Sequence, residues 1–280
     1  MAQWKHLVSA FCVSIALFSL AGCKTTDTPA NTLTYPTASF PGGSEPLDIK
    51  AEVYRPEGAG PFPAVIVMHG SGGLREHHRI WARKLVSWGY VALVIDSFSP
   101  RGFPNGIATN TPAVMPQKRV SDAIGAAEWL NKQPYVAKGK LATIGFSHGG
   151  WTTMKLVQED FHAKEYGIKG SIAYYPLCDV KTEGNVAIPL LILIGDKDGW
   201  TPAYRCQELV NGRTLKRKDL VELVVYPGVT HSFDEYIPRP VDVPGTVIGG
   251  KVEMHRLEMN PAATADAEKR VKEFLGRLLK

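Results

Sequence analysis

Gly145-Phe146-Ser147-His148-Gly149-Gly150 follows the apolar run Leu141-Ala142-Thr143-Ile144 and precedes Trp151-Thr152-Thr153-Met154-Lys155-Leu156-Val157. The first run reads as a buried strand, and the last segment continues as a helix. G-x-S-x-G between a strand and a helix is the pattern of a nucleophile elbow. Its turn is so sharp that the serine is held in a strained backbone conformation with its hydroxyl pushed outward. Positions two residues to either side must be nearly free of side chain, the part taken by Gly145 and Gly149. Chance also supplies such a short pattern, so its surroundings decide what it means.

Outward from the elbow, apolar runs alternate with amphipathic ones. Strands are predicted at residues 49–54 (an edge strand), 64–68, 91–95, 141–146, 168–174, 189–194 and 220–226. Helices are predicted at residues 76–87, 118–131, after the elbow, 202–211 and 264–279. Continuously apolar strands separated by helices point to the α/β class: a single domain with a mostly parallel central sheet and helices on both faces. No internal repeat is visible. Residues 233–261, rich in Pro and Gly, read as an irregular segment that packs near the site or caps it.

With 280 residues and 44% hydrophobic content the chain suits one large domain with a full core. Its start reads differently. After Lys5 and His6, the apolar stretch from Leu7 to Leu20 is too short to span a bilayer comfortably and ends in Leu20-Ala21-Gly22-Cys23. This resembles a bacterial lipoprotein signal, cut before Cys23, which then carries the lipid; a plain secretory signal is the other reading. The expected organisation is a signal peptide at 1–22, a flexible Thr/Pro/Ser/Gly tether at 23–44 and the domain at 45–280. The expected location is outside the cytoplasm, anchored to a bacterial membrane, on the periplasmic face in a Gram-negative cell. Lys24 leans toward an outer membrane.

Removing residues 1–22 takes away Lys5 and no acid, lowering the net charge from +5 to +4. The densest basic run, Lys216-Arg217-Lys218, reads as a solvated turn, so no nucleic-acid partner is expected. Of four cysteines, Cys12 leaves with the signal and Cys23 takes the lipid. Cys178 and Cys206 remain as a candidate disulfide in an oxidising compartment, with two free thiols as the alternative.

Ser147 needs a base to take its proton, and the base needs an orienting acid. In the elbow-bearing fold these follow in the order Ser, Asp/Glu, His, beyond strand ends. Leu191-Ile192-Leu193-Ile194 runs into Gly195-Asp196-Lys197-Asp198-Gly199-Trp200-Thr201-Pro202, and Val224-Val225-Tyr226 runs into Pro227-Gly228-Val229-Thr230-His231-Ser232-Phe233. His231 is the candidate base and Asp198 the candidate acid, with Asp196 bracing the turn. Oxyanion donors are assigned to the backbone N–H of His148 and to that of Ser71 (Gly72 as alternative) in His69-Gly70-Ser71-Gly72-Gly73. That glycine-rich loop lacks the lysine and spacing of a phosphate loop. Glu76-His77-His78 reads as a solvated helix start rather than a metal site. No metal or organic cofactor is called for.

Val67-Met68-His69-Gly70, Asp96-Ser97-Phe98-Ser99-Pro100-Arg101-Gly102, Gly145 to Gly150, Asp198-Gly199-Trp200-Thr201-Pro202 and His231-Ser232-Phe233 together resemble the dienelactone hydrolase family of α/β-hydrolases, from about residue 45 to the C-terminus. The resemblance implies the acid in a D-x-x-x-P stretch and the base in H-S-F, which favours Asp198 and His231. It also implies a substrate contact at Arg101, for which a structural salt bridge is the competing reading. One departure stands out: the namesake enzymes carry a cysteine nucleophile where this chain has Ser147. The expectation is a serine hydrolase cleaving a small or medium carboxylic ester or lactone through an acyl-enzyme. A serine peptidase or acyltransferase, and a non-catalytic envelope lipoprotein, are the alternatives.

Overall fold

The computed structural model describes residues 31–39, 45–103, 111–179, 184–248 and 251–280. Ten strands are present among them: β1 (Asn31–Pro36), β2 (Asp48–Tyr54), β3 (Phe62–Met68), β4 (Val91–Asp96), β5 (Val136–Phe146), β6 (Ile168–Tyr174), β7 (Leu190–Gly195), β8 (Val221–Tyr226), β9 (Val241–Ile248) and β10 (Lys251–Leu257). The helices are α1 (Glu76–Ser87), α2 (Pro116–Asn131), α3 (His148–Leu156), α4 (Ala203–Asn211) and α5 (Pro261–Leu279).

Strands β1 to β8 form one sheet in the order β1-β2-β4-β3-β5-β6-β7-β8. β1 and β2 are antiparallel to their neighbours, and every pairing from β4 to β8 is parallel. The continuous apolar runs occupy the middle, where both faces are covered: Ala64–Met68, Val91–Ile95 and Leu190–Ile194 are all buried. α1 and α5 share one face, where Lys84 of α1 pairs with Glu268 of α5 and Lys272 of α5 lies over the Trp88 ring. α2 and α3 pack together on the other. The result is an α/β-hydrolase fold in a single domain.

Two expectations change. The 49–54 strand is not an edge, because β1 pairs along it from Asn31↔Val53 to Pro36↔Asp48. The domain therefore reaches back into the expected tether, and β1 is fastened to α2. Tyr35 is buried and donates its hydroxyl to Asp122 O (3.1 Å), and Ala38 N donates to Ser121 O (3.0 Å). Nor is 233–261 irregular: it carries the antiparallel β9–β10 hairpin. This excursion leaves and returns at one point, since Asn260 N and Thr264 Oγ1 both donate to Phe233 O (2.9 Å each). The expected signal peptide and Cys23 lie outside the described residues.

Candidate active site

At the carboxyl end of β5 the chain turns so tightly that Ser147 takes φ 52°, ψ −112°, outside the regions open to most side chains. The glycines make room. A Cβ on Gly145 would lie 2.2 Å from Gly149 O, and one on Gly149 would lie 2.3 Å from Met68 O. Tyr174 O holds the Ser147 N–H (2.9 Å), and Ser147 O accepts from Trp151 N (2.9 Å), which starts α3.

The loops after β7 and β8 bring two further groups to this serine. His231 Nε2 stands 2.9 Å from Ser147 Oγ, and its Nδ1 stands 2.7 Å from Asp198 Oδ2. Both His231 and Asp198 are buried, while Ser147 is partly open. Asp198 is itself held: Oδ1 accepts from the N–H groups of Trp200 (2.9 Å) and Thr201 (2.8 Å). Thr201 Oγ1 lies 2.9 Å from Asp198 Oδ2 and 3.0 Å from Tyr175 O. An Asx-type turn thus fixes the carboxylate before it meets the imidazole. Asp196 is exposed and accepts from Gly228 N (2.6 Å), bracing the two loops.

His69 sets the direction of the glycine-rich loop. Its Nε2 accepts from Ser97 N (3.2 Å), so the ring proton is on Nδ1, which donates to Gly70 O (2.7 Å). In a trans peptide the C=O and N–H point opposite ways, so anchoring Gly70 O turns the Ser71 N–H away from that ring. The loop abuts the elbow: a Cβ on Gly70 would meet Ser147 Cβ at 3.3 Å. The His148 N–H, in the first turn of α3, has no carbonyl four residues back to bond within the helix.

Behind His231 sits a buried carboxylate. Asp234 accepts from Trp81 Nε1 (2.8 Å) and Tyr175 OH (2.8 Å), and His77 Nε2 lies 3.4 Å away. Though burial opposes it, His77 and these donors hold Asp234 below the usual carboxylate range. The Tyr175 ring, on a residue at φ 37°, lies 4.7 Å from the His231 ring. On its other side His231 meets Trp200 (5.4 Å), on which His255 of the β9–β10 hairpin stacks at 5.0 Å and 18°. The segment expected near the site is thus beside it.

Arg101 takes the structural alternative. Its Nη1 and Nη2 donate to both oxygens of the buried Asp122 (2.9 and 2.8 Å) and Nη1 to Ser97 O (2.6 Å), so the guanidinium is committed and its substrate contact is withdrawn. His77 and His78 are buried rather than solvated, because α1 lays them against Phe146, with ring centroids 4.9 and 5.5 Å away. No cluster of three or more His, Cys, Asp or Glu suited to a metal occurs among the described residues. Cys178 and Cys206 form a disulfide that ties the chain after β6 to α4. Thr201, Tyr175, Trp200 and Asp234 escaped the sequence reading; only Thr201 left a local sign, three residues after an acid.

A parallel sheet with an elbow serine, a strand-end histidine and a strand-end aspartate defines a hydrolase of the α/β-hydrolase fold. Residues 49–279 match the dienelactone hydrolase family, and the chain belongs to that family. It is 27% identical over 197 residues to a Bradyrhizobium protein named as a 2-oxo-3-(5-oxofuran-2-ylidene)propanoate lactonase, covering 66% of this chain and 79% of that one. It is 26% identical over 211 residues to a Yersinia pestis protein named as a carboxymethylenebutenolidase, covering 68% and 76%. An esterase from Thermogutta terrifontis has the same fold, with TM-score 0.62 at 17% identity over 89% of this chain and 94% of the esterase.

Proposed function

We propose that this protein hydrolyses small or medium carboxylic esters or lactones through an acyl-enzyme on Ser147, outside the cytoplasm and anchored through a lipid on Cys23. The observation that carries the reaction is the unbroken relay from Ser147 Oγ through His231 to Asp198. Ser147 Oγ attacks the carbonyl carbon while His231 Nε2 takes its proton, and Asp198 holds the Nδ1–H and balances the imidazolium. The carbonyl π pair moves onto oxygen, where the N–H groups of Ser71 and His148 receive it. Collapse expels the alkoxide, protonated by His231, and leaves the acyl group on Ser147. Water, deprotonated by His231, then attacks the acyl carbon, and the carboxylic acid departs as Ser147 regains its proton. Each step uses protein groups and water.

The names of the relatives support an ester or lactone bond as the target. The test is turnover of p-nitrophenyl esters of increasing acyl length. Wild type is expected to hydrolyse at least the short ones, and Ser147→Ala and His231→Ala to lose turnover; hydrolysis undiminished in Ser147→Ala refutes the proposal. The anchor has its own support in Leu20-Ala21-Gly22-Cys23. Wild type expressed in a bacterium should incorporate labelled fatty acid, and Cys23→Ala should not; an unlabelled wild type refutes the anchor.

A further inference from the structure

Below the glycine-rich loop and the head of α3, a guanidinium is buried on neutral acceptors. Arg119 of α2 is 0% exposed. Its Nη2 donates to His69 O (2.8 Å) and its Nη1 to His148 Nδ1 (2.8 Å). Buried arginines are ordinarily matched to a carboxylate, because desolvating the cation is costly. Here the carboxylate three residues on, Asp122, has both oxygens engaged by Arg101. Asp122 and Asp96 help Arg119 only through space, without a hydrogen bond to it. Its two acceptors are specially placed: His69 begins the turn that aims the Ser71 N–H, and His148 follows the nucleophile and supplies the other proposed donor.

We infer that Arg119 is the positioning residue of the oxyanion hole, locking the His69-Gly70-Ser71 turn to the first residue of α3 and setting a fixed positive charge behind the two N–H donors. The inference deepens the acyl-enzyme reading and rests on it. A carbonyl in the ground state gains little from such a charge, whereas the tetrahedral oxyanion gains more, so the effect falls on kcat. Because Arg119 donates to Nδ1, the proton of the neutral His148 ring is on Nε2. Losing either contact frees one side of the hole.

Arg119→Met keeps the length of the chain and removes the charge and both donors. It is expected to lower kcat on a p-nitrophenyl ester roughly 10–100-fold, with KM within about twofold. The Ki of an alkylboronic acid, which forms a tetrahedral adduct on the serine, should rise by the same factor, and Arg119→Lys should recover part of the loss. A purely structural role would lower the melting temperature and leave kcat of the folded fraction and the boronate Ki unchanged, which overturns the inference. If Arg119→Met does not fold, the contact is read from its other end. His148→Leu should lose more kcat than His148→Asn, whose amide oxygen stands where Nδ1 stood, and equal values overturn the inference. A folded wild type that neither turns over esters nor reacts with a fluorophosphonate refutes the esterase reading and this inference together. A reactive wild type with an unaffected Arg119→Met refutes this inference alone.

Discussion

Acidification should loosen this domain well above the carboxylate range, and His148 isolates the cause. His69, His78 and His148 are buried, and burial, reinforced by neighbouring cations and histidines, pushes all three down, His148 to about 3. An unfolded chain binds a proton on each of these near pH 6.5, and the folded chain does not. The unfolded state therefore holds more protons below that pH, and stability falls as pH drops. For His148, with a folded value of about 3, the loss between pH 7 and pH 5 comes to about 2 kcal/mol. His69 and His78 act in the same sense. Asp122, raised by burial, acts in the opposite one, so total stability mixes contributions. The assay is urea unfolding at pH 7, 6 and 5 for wild type and His148→Asn, which has no proton to bind. Wild type should lose about 2 kcal/mol more than the variant over that range. Equal losses in the two proteins would mean that His148 titrates alike in the folded and unfolded states, and that its burial does not drive the acid sensitivity.

Three further outcomes follow from the contacts around the site. Asp198→Asn should lower kcat by about 10,000-fold, as loss of the orienting acid does in such triads, while Asp196→Asn stays within about tenfold; steady-state kinetics on one ester compares them. Replacing Cys178 and Cys206 by serine opens a loop of 28-residue separation. Chain entropy puts the lost stability at about 3.6 kcal/mol, seen in calorimetry as a melting temperature lower by roughly 7–14 °C. Arg101→Met should destabilise by about 3–5 kcal/mol in urea unfolding, since it strands the buried Asp122, and leave KM unchanged; a raised KM without destabilisation would restore Arg101 as a substrate contact.

The central strands were legible because a strand covered on both faces must be apolar throughout, as Ala64 to Met68 and Leu190 to Ile194 are. β1 was not. Asn31-Thr32-Leu33-Thr34-Tyr35-Pro36 buries one fully covered side chain, Tyr35, and its reason for being a strand is the free edge of β2 together with α2. The β9–β10 hairpin was hidden by Pro240, Pro244 and Gly245: the alternation in Val241-Asp242-Val243 and Val252-Glu253-Met254 is too short to outweigh them, and Val241, Val252 and Met254 face outward rather than into the core. The relay from Ser147 to Asp198 was legible from chain order, because each member follows a readable strand. Asp234 and Arg119 were not, since their partners lie far along the chain: Trp81 is 153 residues from Asp234, and His69 is 50 from Arg119. A buried charge reveals its purpose only through what folding brings against it.

The proposed chemistry stands on Ser147 as a nucleophile activated by His231. Intact-mass measurement after exposure to a fluorophosphonate tests it most directly. Wild type should take up one covalent adduct, mapped to the peptide holding Gly145 to Gly150, Ser147→Ala should take up none, and His231→Ala should label much more slowly. A folded wild type that stays unlabelled, or a Ser147→Ala that takes up the same adduct, would contradict that chemistry.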